Sequence, residues 1–282
     1  MMNSKRTMSD PRRRRGGPLD RILLALAAAA VVVSPARAQG GSDWCAQTRG
    51  NRDDARRYCE VRELTLKTPS SGLDVDAQPN GGIRVRAAAR ADVRIQARVQ
   101  ARAGSTEEAR ALAGRVTIDT DGGRVRAQGP DTHRDGWWSV SYRIEAPATT
   151  DVSLHAQNGG ISIEGMKGRT RFRTLNGGVD LTHLSGDVSG STTNGGLDIV
   201  LAGRTWDGVG LAVRTTNGGV DMAVPDGYAA HLVTSTVNGG VDVGFPITVQ
   251  GRIGRRLAVD LGGGGPTIRA ETTNGGIDLH RP

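Results

Sequence analysis

The chain has 282 residues, 41 of them Gly, with 37% hydrophobic but only 3% aromatic residues, and a formal charge of +8. Eight of the 37 basic and two of the 29 acidic residues fall within the first 38, so the remainder, 29 basic against 27 acidic, is nearly neutral at +2. The net charge is therefore no argument for nucleic-acid binding. The five histidines are scattered without metal-ligand spacing, and no Ser or Cys nucleophile motif is present, which leaves catalysis with little support.

Arg12, Arg13, Arg14 and Arg15 form a basic opening, residues 22–33 an apolar run, and Ala36, Arg37 and Ala38 a small-x-small cleavage signal. The run is shorter than the ~20 residues that cross a bilayer. Residues 1–38 read as a signal peptide, and the mature chain as exported to the periplasm or cell surface and not membrane-spanning. Cys45 and Cys59 come next. In an oxidising compartment two cysteines with no third imply one disulfide, and a redox or metal pair would need a CxxC spacing or nearby His. With Trp44, and a polar stretch at Arg56, Arg57 and Tyr58 patterned as a short helix, residues 39–66 read as a clamped cap on the open end of a strand stack.

Residues 67–157 read as an irregular β-rich part with one helix. Over 92–102, Val93, Ile95, Ala97, Val99 and Ala101 alternate with polar residues, the pattern of a half-buried strand. Its outer face carries Arg94, Arg98 and Arg102, read as a solvated face that discourages edge pairing or as a patch for anionic envelope polymers or lipid head groups. Ser105 opens a short helix with Glu108 at the capping-box position, ending near Ala113. Strands are expected at 115–119, 124–127, 138–144 and 152–156. Trp137 and Trp138, beside Arg134, form the aromatic-rich spot and the candidate partner contact, with core packing as the alternative.

From residue 158 a phrase recurs: Asn-Gly-Gly, an aliphatic residue, Asp, another apolar residue. It begins at Asn176, Asn194, Asn217, Asn238 and Asn274, with a variant at Asn158, where Ser162 replaces Asp, and an outlying copy at Asn80, where Arg84 does. The spacings from Asn158 onward are 18, 18, 23, 21 and 36 residues, and the last gap holds a worn copy at Val259, Asp260 and Leu261. Apolar and polar residues alternate on both sides of each corner, and Thr174, Thr192, Thr215, Thr236 and Thr272 stand two residues before the Asn. Each copy is a strand, a glycine corner and a second strand. The fixed register favours an all-β, solenoid-like stack with coils of 18–23 residues over residues 158–282. The alternative is an antiparallel hairpin meander or sandwich, since Asn-Gly is also the strongest short hairpin signal.

Cys59-Glu60-Val61-Arg62-Glu63, the early Asn-Gly-Gly at Asn80, the Ser-Thr-Glu-Glu helix start and the later repeats together resemble the bacterial putative-adhesin family of β-strand-repeat proteins, related to the toastrack-like domains of envelope-stress proteins. The resemblance spans nearly the whole mature chain. It implies a stacked-strand fold and an envelope location, and it brings no catalytic residues with it.

Asp180, Asp198, Asp221, Asp242, Asp260 and Asp278 fall in one outward column. Stacked about 5 Å apart, such carboxylates repel by roughly 0.8 kcal/mol per pair in bulk water. Either calcium or neighbouring polar groups must offset that. The Asn residues at 158, 176, 194, 217, 238 and 274 read as structural, bonding to one another across coils, and the Thr residues as small, β-branched packing. Glycine at each corner is expected to supply positive φ, so that Gly219→Val should destabilise more than Asp221→Ser. The sequence thus reads as an exported, non-catalytic envelope module, adhesin-like or scaffolding, that binds an envelope protein, a polysaccharide or lipid head groups. The final strand at 277–279 is a candidate edge for self-association. The enzyme alternative is a carbohydrate-active β-helix using paired Asp residues, for which the repeats offer Phe172, Trp206, Tyr228 and Phe245 as aromatic platforms.

Overall fold

The computed structural model describes residues 44–45, 56–131, 136–248 and 254–282. The expected signal peptide, most of the cap segment and Arg134 lie outside the described residues.

The described chain is built from strands in two ten-stranded sheets. In chain order they are β1 Arg57–Lys67, β2 Leu73–Asp76, β3 Ile83–Ala87 and β4 Asp92–Arg102, then helix α1 Thr106–Gly114, then β5 Thr117–Asp119, β6 Arg124–Gln128, β7 Trp137–Ala146, β8 Val152–Asn158, β9 Ile161–Glu164, β10 Thr170–Asn176 and β11 Val179–Thr182. The remainder are β12 Asp187–Asn194, β13 Leu197–Val200, β14 Gly210–Asn217, β15 Val220–Ala223, β16 Ala230–Asn238, β17 Val241–Val243, β18 Arg256–Leu261, β19 Thr267–Asn274 and β20 Ile277–His280. Each Asn-Gly-Gly copy sends the strand before its corner into one sheet and the strand after it into the other. The first sheet runs β1-β4-β7-β3-β9-β11-β13-β15-β20-β17 and the second β18-β16-β19-β14-β12-β10-β8-β2-β6-β5. Within the repeats every neighbour is parallel and in register, Asn176 facing Asn158 and Asn194, for example. This is a stack of two-strand coils. A hairpin meander would have paired the two strands of each copy with one another.

The stack departs from chain order at one place. The last coil, β19 with β20, lies between β14–β15 and β16–β17. The expected free edge at 277–279 is therefore an interior strand, and β17 is the strand at that edge of the first sheet. The worn copy is not a coil either. β18 runs antiparallel to β16 in the second sheet, so Val259 faces Leu232 and Asp260 faces His231. Arg256, Leu257 and Ala258, which stand where the other copies have Asn-Gly-Gly, are residues of β18 itself and make no corner.

At the other end β2 and β3 form a coil around Asn80 and pair with β8 and β9. Beyond them β6 and β7 add one more parallel turn, and the sequence that connects them has no Asn-Gly-Gly. Antiparallel β4, β1 and β5 finish the two sheets. Residues 57–58, expected at the end of a short helix, belong instead to β1, which pairs with β4 along its whole length. The helix α1 begins as its capping box predicts, Ser105 Oγ accepting from Glu108 N at 3.2 Å.

Apolar side chains of the two sheets meet between them. Each repeat coil contributes about four, such as Leu211, Val213, Val220 and Met222, all 0–3% exposed. Each such burial contributes roughly 1.5–3 kcal/mol before chain entropy is set against it.

The corners are held by three ladders. Each Asn donates its side-chain amide to the Asn of the coil before it in space, along Asn238, Asn274, Asn217, Asn194, Asn176, Asn158 and Asn80, at 2.7–3.1 Å. Backbone bonds run beside them, as from Gly195 N to Asn217 O at 3.0 Å. The Thr column does more than pack. Thr215 Oγ1 donates to Gly195 O at 2.7 Å, and Thr174, Thr192, Thr236 and Thr272 repeat the bond. These hydroxyls satisfy carbonyls that the corner leaves unpaired.

Close approach between coils, more than positive φ, requires the first glycine of each corner. A Cβ on Gly218 would stand 2.1 Å from Gly195 O, whereas one on Gly219 meets nothing nearer than Gly276 O at 3.3 Å. Among the corner glycines only Gly275 has a positive φ, at 156°. The intolerant position is thus the first glycine, not Gly219.

Candidate binding face

The Asp residues after the corners lie on the outer face of the first sheet because their neighbours on either side, at period two, point into the core. In spatial order the row runs Asp180, Asp198, Asp221, Asp278 and Asp242, each in register with the next. Asp260 is not in it; it pairs with His231 Nδ1 at 2.7 Å on the other sheet. The row continues across the same face through Ser162, Arg84, Arg143 and Gln96. One line of positions therefore passes from basic through neutral to acidic.

Two residues before each Asp, on the same face, stands the second glycine of the corner. A side chain is missing there, and a shallow groove results, with a volume of about 650 Å3, lined by Gly196, Gly219, Gly240 and Gly276 and by Asp198, Asp221, Asp242 and Asp278. Partial burial and the carboxylates of Asp180 and Asp221 push the Asp198 carboxyl above the usual range. One titratable base already faces the row. His280 Nε2 bonds Asp221 Oδ1 at 2.8 Å, and its Nδ1 bonds the Arg281 carbonyl at 2.7 Å. Both ring nitrogens face acceptors, so its pKa is raised, first by the carbonyl and then by Asp221. Sequence spacing gave no sign of this pair, which is 59 residues apart.

Among the described residues no three acid, His or Cys side chains converge on one point. The row offers carboxylates pairwise, and calcium, which takes six to eight oxygens, would keep most of its ligands as water there.

The basic end is covered. Cys45 and Cys59 are bonded, and the bond holds Trp44, 8% exposed, over Arg143 at 4.0 Å and Arg98 at 4.7 Å. Burial followed by Arg143 lowers the Arg98 pKa. Arg94 is engaged by Glu63 at 2.9 Å, and Gln96 with Arg94 holds that carboxyl below its usual range. Arg102 also has a partner. The arginines expected to form an open patch are thus largely occupied within the chain.

Trp138 is half buried, its Nε1 donating to Pro130 O at 2.9 Å, while Trp137 is 36% exposed. Both line a second cavity, at the corner between β6 and β7, together with Gln78, Asn80, Asp119, Arg126 and Asp131. Phe172, Trp206, Tyr228 and Phe245 are 2–7% exposed, so the aromatics of the repeats are core and not platforms. No described helix is long and apolar enough to cross a membrane.

No family model matches the sequence, and no curated protein matches it. Several solved structures are similar. A putative cell adhesion protein from Clostridium sporogenes matches over 79% of this chain and 100% of its own, with 10% identity and a TM-score of 0.40. A putative adhesin from Bacteroides fragilis matches over 80% and 97%, at 12% identity and a TM-score of 0.33. A putative lipid binding protein from Parabacteroides distasonis matches over 78% and 96%, at 9% identity and a TM-score of 0.33. Two of the three are named for adhesion.

Proposed function

We propose that this chain is an exported, non-catalytic module of the cell envelope, adhesin-like or scaffolding, whose working surface is the outer face of the first sheet. The in-register row of five Asp residues beside a glycine-floored groove carries the reading. A repeating array at strand spacing suits several cations, or an extended partner bearing them, better than it suits a reaction centre. The Cys45–Cys59 bond and the signal-peptide pattern of residues 1–38 support export.

Calcium is the first cation to try: burial first, and then the carboxylates of Asp180 and Asp221, raise the Asp198 pKa, and a divalent ion between adjacent carboxylates relieves the second of these. The test is thermal unfolding of the mature chain in EDTA and then in calcium. With a Kd of about 1 mM, 10 mM calcium adds about 1.4 kcal/mol, a rise of roughly 3–6 °C for a domain of this size. Asp198→Asn with Asp221→Asn should abolish the rise. An unchanged midpoint in the unaltered chain would overturn calcium binding by the row.

A further inference from the structure

The corner between β6 and β7 is the one turn of the parallel stack next to Asn80 that lacks Asn-Gly-Gly, and the consequences meet in one cavity. In the other corners each Asn amide finds an Asn oxygen in the next coil. Asn80 accepts from Asn158 at 3.1 Å, but where its own acceptor would stand the chain runs through Gln128, Gly129 and Pro130. Among the described residues nothing accepts from Asn80 Nδ2. Six amide bonds polarise one another along the ladder toward this end, which strengthens the donor left over.

The same cavity holds Trp137, the exposed aromatic side chain among the described residues. Its neighbour fixes the wall: a Cβ on Gly129 would lie 2.8 Å from the Trp138 ring, so that indole sits close against Gly129, with its N–H already bonded to Pro130 O. Around the indoles stand donors and acceptors in balance, Arg124 and Arg126 against Asp119 and Asp131, with Gln78 and Gln128. Arg126 is itself steadied by Asp76 at 3.5 Å.

We propose that this corner cavity binds a neutral saccharide, with the face of Trp137 against a pyranose ring and Asn80 Nδ2 donating to a hydroxyl. The chemistry selects this class. A sugar hydroxyl donates and accepts at once, which matches a lining of mixed guanidinium, amide and carboxylate groups, and its C–H face matches an indole. An anion is opposed by Asp119 and Asp131, and an acyl chain finds no deep apolar cavity. The proposal rests on the reading of the chain as a binding module but uses a surface away from the Asp row.

The test is tryptophan-fluorescence titration of the mature chain with cellohexaose, chitohexaose and maltohexaose, confirmed by calorimetry. At least one saccharide binds saturably. Trp137→Ala weakens it about tenfold or more. Asn80→Asp retains an oxygen for Asn158 but loses the donor, and it weakens binding several-fold while the melting temperature stays within a few degrees. Absence of saturable binding by all three, or full affinity in Trp137→Ala, overturns the proposal. Either result leaves the calcium response intact, so failure here is distinct from failure of the Asp row.

Discussion

Substituting Ala for each glycine of a single corner separates close approach from backbone conformation as the reason for Gly-Gly. A Cβ at 218 would stand 2.1 Å from Gly195 O, and ordinary contact begins at 3.4 Å, so the coils must part by 1.3 Å. Beside the Asn217–Asn194 amide bond, three bonds to the backbone join these two corners: Gly195 N to Asn217 O at 3.0 Å, Leu197 N to Gly219 O at 3.0 Å, and Thr215 Oγ1 to Gly195 O at 2.7 Å. A parting of that size breaks all three, at about 1 kcal/mol each, so Gly218→Ala should lose about 3 kcal/mol. At 219 the contact is 3.3 Å, which a shift of 0.1 Å relieves, and Gly219→Ala should lose under about 1 kcal/mol. Urea unfolding followed by circular dichroism measures both, with midpoints for Gly218→Ala lower by roughly 6–12 °C in a parallel thermal scan. Equal losses at the two positions, or a larger one at 219, would refute the argument.

Two further outcomes come from the same geometry. Because the Asp198 pKa is raised on folding, its contribution to stability is present below the ordinary carboxylate range and is lost as pH rises through the shifted value. Asp198→Asn should therefore raise the melting temperature at pH 7, with the gain fading towards about pH 4; a gain that persisted unchanged at low pH would contradict the assignment. Deleting residues 263–282 takes a coil out of the middle of the stack, with Ile268, Ala270, Ile277 and Leu279 all 0–1% exposed. Their burial contributes about 5–10 kcal/mol, comparable with the whole stability of a domain. The truncated chain should lack cooperative unfolding by circular dichroism, and a stable truncated form with β16 paired directly to β14 would refute that.

The strands and the faces they present were legible because period-two alternation needs no knowledge of partners: residues 92–102 form the strand expected of them. The Asn ladder was legible for a related reason, since in a parallel stack equal phase in the repeat becomes adjacency in space. Contacts between side chains of different phase were not legible. Thr215 to Gly195 joins two different columns of the repeat, and His280 to Asp221 and Trp44 on Arg98 and Arg143 join positions that no period relates. Residues 57–58 were misplaced because a short polar stretch before an alternating strand carries no sign of where pairing starts, and here β4 is long enough to extend it.

The order of the coils failed for the reason that made their columns visible. Every corner offers its neighbours the same Asn, Thr and glycine carbonyl, so any coil fits beside any other, and the repeat itself cannot encode sequence order. The connections decide. Ala223 leads to β16 through 224–229, and β16 is tied on its far side by antiparallel β18, whose register sets Ala230 against Leu261. That pairing occupies the outer edge of β16, so the returning chain finds only the inner edge left, between β14 and β16, and β19 with β20 fills it in register. The worn copy supplies that pairing: with Arg256, Leu257 and Ala258 in place of Asn-Gly-Gly, the stretch runs straight on as β18 against β16, and the last two strands are left the interior position of the stack.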